Sequence, residues 1–125
     1  MVLRCFIVDD SPPFLAAAQA LLEREGCAVV GVAGTTEEAL RRVREAAPDV
    51  VLVDVDLGRE SGFDVARRFQ QETTVDKSKV ILISTYAEED VWELLGGAPA
   101  AAFLSKSQLS ADAIRRILDG GPEGP

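Results

Sequence analysis

The stretch Val50-Val51-Leu52-Val53-Asp54 is four aliphatic residues closed by a carboxylate. A short apolar run without polar alternation reads as a strand covered on both faces, since a half-solvated strand would show a polar residue at every second position. The same design recurs on both sides of it. Leu3 to Val8 runs into Asp9-Asp10, Val80 to Ile83 into Ser84-Thr85, and Ala100 to Leu104 into Ser105-Lys106, while Cys27 to Ala33 is a fifth apolar run. Helical patterns separate the runs. Phe14, Ala17, Ala18, Leu21 and Leu22 follow the helix start Ser11-Pro12, and the capping-box pair Thr35 and Glu38 precedes Ala39, Leu40 and Val43. Ser61 caps a third helix carrying Phe63, Val65, Ala66 and Phe69. Val91, Leu94 and Leu95 mark a fourth, and Ser110 opens a fifth through Ala113, Ile114, Ile117 and Leu118. Gly26, Pro48, Gly96 and Gly120 supply the helix stops. Five strands alternating with five helices call for right-handed crossovers and an α/β fold with one five-stranded parallel sheet, helices on both faces. In such a sheet the site lies at the carboxyl ends of the strands.

Composition narrows the chemistry. The 125 residues include 21 Asp and Glu against 13 Lys and Arg, so the formal charge is 13 − 21 = −8. That length fits one domain, and 47% hydrophobic residues supply a real core. No apolar run reaches the roughly 20 residues of a spanning helix, and the N-terminus lacks a signal-peptide layout, so no membrane association and a cytoplasmic location are expected. Histidine is absent, which removes the commonest general base and metal ligand and the Ser-His-Asp and Cys-His nucleophile systems. Cys5 and Cys27 cannot fill a thiolate zinc site and read as buried thiols. The acidic balance repels phosphate backbones, which disfavours direct nucleic-acid binding by this chain, and favours cations and basic partners.

The strand ends carry the chemistry. Asp9, Asp10 and Asp54 converge on one rim, and two unit charges about 4 Å apart repel by roughly 4 kcal/mol at an effective dielectric near 20. A divalent cation relieves this repulsion. An oxygen-only ligand set selects a hard ion, and Mg2+ suits because it keeps waters and shares its coordination with phosphate. Ser84 and Lys106 on the opposite strands supply the hydroxyl and ammonium that a phosphoryl oxygen needs. Any one of these residues alone reads as a cap or a solvated charge, whereas the ordered set reads as a site.

In this set the sequence resembles the receiver domain of two-component response regulators, over essentially its whole length. Phe6-Ile-Val-Asp-Asp10 resembles the family's acidic pair, Val51-Leu-Val-Asp54 its phosphoacceptor strand, Ile81-Leu-Ile-Ser84 its hydroxyl position, and Phe103-Leu-Ser-Lys106 its lysine with an aromatic switch residue. Spacings of 44, 30 and 22 positions between Asp10, Asp54, Ser84 and Lys106 are typical of the family, and Gly62 falls where it uses a glycine to begin the third helix. The resemblance implies a flavodoxin-like, doubly wound (βα)5 fold with strand order 2-1-3-4-5, a receiver domain over residues 1–119 and a flexible tail over 120–125. It also implies phosphoryl transfer to Asp54 from a phosphohistidine on a histidine kinase or His-phosphotransfer protein, with no enzymatic activity beyond self-phosphorylation and autodephosphorylation. Mg2+ would be held by Asp9, Asp10, Asp54 and the backbone carbonyl of Asp56. Lys106 and Ser84 would bind phosphoryl oxygens, and Ser84 with Phe103 would switch a surface of the fourth helix, fifth strand and fifth helix for an output protein not identifiable from sequence. A homodimer through that surface is a further arrangement it allows. Asp56, Thr85 and Tyr86 would tune dephosphorylation and access.

The sequence departs from the family pattern at three places. Ser107 follows the lysine where proline is common, leaving the approach to the fifth helix less constrained; Gly58 replaces a common proline, predicting a looser loop after Asp54; and Thr85 is bulkier than the usual Ala or Gly. Trp92 reads as packing, and Arg41, Arg42, Arg44, Arg67 and Arg68 as solvated faces with occasional ion pairs to neighbouring acids. Two other functions compete. A phosphorylation-independent pseudo-receiver would keep the fold without the chemistry, and Asp54-Val-Asp56 superficially resembles the pair of haloacid-dehalogenase phosphatases, although that family places the pair at its first strand.

Overall fold

Alternate residues of each central strand belong to opposite cores, which is why the strands lack polar alternation. The computed structural model describes residues 2–76, 79–85 and 100–120. In chain order the elements are β1 (Arg4–Val8), α1 (Pro12–Arg24), β2 (Ala28–Ala33), α2 (Thr36–Ala46), β3 (Val50–Asp54), β4 (Asp56–Leu57), β5 (Glu60–Ser61), α3 (Gly62–Glu72), β6 (Val80–Ser84), β7 (Ala102–Ser105) and a C-terminal helix (Ala111–Leu118). The five long strands pair in parallel in the order β2-β1-β3-β6-β7, the flavodoxin-like order expected from the resemblance. Phe6, Val8, Val51, Val53 and Leu82 share one core with Leu40 and Val43 of α2 and Val65 and Phe69 of α3. Cys5, Ile7, Leu52, Ile81 and Ile83 share the other with Leu22 of α1 and Ile114 of the C-terminal helix. Each fully buried large aliphatic or aromatic side chain contributes roughly 1.5–3 kcal/mol of transfer free energy, so both layers matter to stability.

Helix starts follow the sequence. Ser11, Thr35, Ser61 and Ser110 each accept a hydrogen bond from a backbone N–H of the first turn of their helix. The capping box of α2 is altered: Glu38 Oε1 accepts from the Gly34 amide at 2.9 Å, one residue before the cap. β2 corrects the expectation of strands covered on both faces, since five of its six residues are half-buried. It is an edge strand, and it carries a bulge opposite Cys5 and Phe6. Cys5 and Cys27 are buried free thiols, and burial followed by the neighbouring Cys27 pushes Cys5 up to about 12. Of the arginines of α2 and α3, Arg42 pairs with Glu38, Arg67 with Asp64, and Arg68 bridges Glu37 and Glu72, while Arg44 donates to the Glu72 carbonyl. The fourth helix of Val91, Leu94 and Leu95, together with Tyr86, Trp92, Gly96 and the tail beyond Gly120, lies outside the described residues.

Candidate functional site

Parallel strands deliver their carboxyl ends to one rim, and there the polar residues meet. Asp9 follows β1, Asp54 closes β3, Ser84 closes β6, and Lys106 follows β7 in a 3-10 turn over Lys106–Gln108. Asp9 is fully buried, and Asp54 and Ser84 are only 6% and 1% exposed. Asp10 is exposed. One carboxylate oxygen from each of Asp9, Asp10 and Asp54 lies within 4.8 Å of the others.

Local backbone fixes Asp54. Its Oδ1 accepts the Asp56 amide at 3.1 Å, while Val55 N–H donates to Ile83 and Gly62 N–H to Val55, each at 3.0 Å. Gly62 is required here by close approach: a Cβ would stand 2.2 Å from the Asp54 carbonyl oxygen. The segment between them is not the loose loop that Gly58 suggested. β4 and β5 pair antiparallel around Gly58 and Arg59, with Gly58 at φ +71°, a backbone proline cannot adopt. Glu60 ties this ribbon to α2, its Oε1 accepting both the amide (2.7 Å) and the hydroxyl (2.5 Å) of Thr36. The Ser107 departure is likewise compensated, since the Ser105 and Ser107 hydroxyls lie 2.9 Å apart and Leu109 N–H donates back to Lys106 at 3.3 Å.

Charges at the rim are set against one another. The Lys106 ammonium lies 2.7 Å from Asp9 Oδ2 and 3.3 Å from Asp54 Oδ2. Its approach to Asp9 is off the hydrogen-bonding direction, so that buried oxygen has a charge partner but no aligned donor. Burial foremost, helped by the Asp9 charge, pushes Asp54 up to about 6 against the opposing Asp56 amide and Lys106. Burial draws the Lys106 ammonium down, but Asp9 and Asp54 outweigh it and hold it above the usual lysine value. Asp9, Asp10, Ser11, Asp54, Asp56, Ser84, Thr85 and Lys106 line a cleft of about 200 Å³, the liquid volume of roughly six or seven waters. Thr85 is exposed on its lip and leaves that volume open. A larger cleft of about 440 Å³ between α2, the ribbon and α3 is lined by arginines and carboxylates, including the pairs Arg67 with Asp64 and Arg68 with Glu37. Size alone therefore does not mark the site. Convergent carboxylates opposed by one ammonium do.

The response regulator receiver domain family matches residues 5–119. This chain belongs to that family. Its relatives include the uncharacterized transcriptional regulatory protein YvfU of Bacillus subtilis (strain 168), 34% identical over 123 residues that cover 95% of this chain and 60% of the relative. The transcriptional activator protein ExaE of Pseudomonas putida is 36% identical over 118 residues, 91% of this chain and 54% of the relative. This chain thus spans little more than half the length of these relatives. A CheY-like receiver domain protein of Methanospirillum hungatei JF-1 has a fold matching 95% of each chain at a TM-score of 0.70 and 26% identity.

The receiver fold brings together Asp9, Asp10, Asp54, Ser84, Thr85 and Lys106 as expected from sequence. Phe103 is a neighbour rather than a lining residue: it is 4% exposed and packs in the core of α2 and α3. The Asp56 side chain accepts the Gly58 amide at 3.3 Å and lines the same cleft. Sequence reasoning missed Phe14, whose ring lies 4.1 Å from Lys106 Nζ. It read as helix packing, and it does pack against the core of α1 and the C-terminal helix, but only the contact across the fold shows that its ring also meets the lysine.

Proposed function

We propose that this receiver is a working phosphoacceptor in which Asp54 takes a phosphoryl group from a phosphohistidine on a histidine kinase or His-phosphotransfer protein. The observation that supports it best is the buried Asp54 carboxylate, held by the Asp56 amide and faced by Lys106 in an open cleft. In the transfer an Asp54 oxygen forms the new O–P bond as the donor N–P bond breaks, and the electron pair returns to the imidazole nitrogen. Lys106, within reach of Asp54, meets the charge on a phosphoryl oxygen, and Ser84 donates to another. Ser11 and Asp56 amides fix the two carboxylates, so little reorganisation is needed at the moment of transfer.

The donor set fits Mg2+. Three carboxylate oxygens converge, and the buried Asp9 Oδ2 lacks an aligned donor. Asp9, Asp10, Asp54 and the Asp56 backbone carbonyl would hold the ion, which when bound neutralises the transferring oxygens. Asp56, Thr85 and Tyr86 would set the lifetime of the aspartyl phosphate. Ser84 and Phe103 would relay the modification to the surface of β7, the C-terminal helix and the fourth helix expected from sequence, where an output protein or a second copy would bind. Cytoplasmic residence accords with this role; among the described residues no helix is long and apolar enough to cross a membrane.

Acetyl phosphate with Mg2+, followed by borohydride, tests the assignment of the acceptor. Reduction of an aspartyl phosphate gives homoserine, expected at position 54 alone. Homoserine at another acidic position, or at none, would contradict the reading.

A further inference from the structure

We propose that Phe14 is a positioning residue for Lys106, its ring holding the ammonium in place for a phosphoryl oxygen on Asp54. The inference rests on the phosphoacceptor reading above and adds to it a residue that neither the acidic rim nor the lysine motif includes.

Lys106 Nζ lies 4.1 Å from the centroid of the Phe14 ring, and its side chain is only 15% exposed. A ring face attracts a cation through its quadrupole, most strongly where water is excluded. Unlike a carboxylate, the ring carries no charge to cancel, so the ammonium keeps its full charge for an incoming anion. Four contacts close into a circuit that places the ring. Asp9 Oδ1 accepts the Ser11 amide at 2.8 Å, and Ser11 Oγ accepts the Phe14 amide at 3.4 Å. Phe14 then meets Lys106, and Lys106 returns to Asp9 Oδ2 at 2.7 Å. Pro12 and Pro13 stiffen the first turn of α1 between Ser11 and Phe14. When a phosphoryl group on Asp54 draws the ammonium from Asp54 Oδ2, the Phe14 contact needs no change. The ring therefore confines a flexible four-carbon stem to the arc that serves the reaction.

The experiment compares wild-type protein with Phe14→Leu, which fills the space without a ring, and Phe14→Tyr, which keeps one. Binding of Mg2+ alone and of beryllofluoride with Mg2+ is measured, together with the rate of phosphoryl uptake from acetyl phosphate. Phe14→Leu is expected to weaken beryllofluoride binding and slow uptake by roughly three- to thirtyfold while leaving Mg2+ affinity unchanged. Phe14→Tyr is expected to stay near wild type. Wild-type behaviour in Phe14→Leu, an equal loss in both variants, or a parallel loss of Mg2+ affinity would overturn the proposal. An NMR readout separates this failure from failure of the phosphoacceptor reading, because it needs no phosphoryl transfer. The Lys106 ε-methylene protons should be shifted upfield by the ring current in wild type and Phe14→Tyr and not in Phe14→Leu. Absence of that shift in wild type overturns the placement itself, whereas a wild-type shift without phosphoryl uptake overturns only the phosphoacceptor reading.

Discussion

Asp54 shows how one residue serves the site at the expense of the fold. Burial pushes its carboxyl up to about 6 from an ordinary 3.8, so between those values the native chain holds a proton that the unfolded chain gives up. Its contribution to stability is full below about pH 3.8 and is lost as pH rises through about 6. Asp54→Asn removes the buried charge. In the absence of divalent ions, the variant is expected to be more stable than wild type by about 1–3 kcal/mol at pH 7, with the gap closing toward pH 4. Denaturant unfolding of both proteins at several pH values measures this; a gap that stays constant with pH would contradict the assigned burial. The aspartates and Lys106 were legible in the sequence because each terminates an apolar run, where a charge has no reason to sit unless the strand end is a site. Phe14 was not, since an aromatic on an apolar helix face reads as packing until the lysine beyond β7 is seen beside it.

Strands were the most legible elements, since continuous apolar runs have few readings in an alternating α/β pattern. The half-buried β2 looked the same in sequence as its covered neighbours, because exposure at a sheet edge follows from strand order rather than from residue type. The ribbon of β4 and β5 was not anticipated at all. Its two strands have only two residues each, too short for any periodicity, and its turn depends on the positive φ of Gly58. α3 begins against the backbone of Asp54, so the helix and the acceptor strand share one contact at Gly62. A Cβ at position 62 would force the two apart. Gly62→Ala is expected to destabilise by about 1–3 kcal/mol and to reduce phosphoryl uptake by displacing Asp54. Thermal unfolding and the rate of uptake from acetyl phosphate check both effects, and unaltered kinetics would show that α3 does not position the acceptor.

At the level of the molecule, two apolar layers hold the sheet and leave the acidic rim to be balanced by Lys106 alone among the described residues. An excess of negative charge concentrated there couples stability to cations. Mg2+ at one hundred times its dissociation constant should stabilise the folded protein by about 2.7 kcal/mol, and EDTA should reverse the gain. Differential scanning calorimetry would register it as a rise in Tm, and the rise should be weaker in Asp10→Asn. Equal stabilisation of both proteins would place the ion elsewhere. Whether Asp54 accepts a phosphoryl group with the help of the acidic rim is decided by intact mass after incubation with acetyl phosphate and Mg2+. One phosphoryl adduct is predicted in wild type, absent with EDTA and absent in Asp54→Asn. A folded wild-type protein that gains no adduct, or an adduct that persists in Asp54→Asn, would contradict the account.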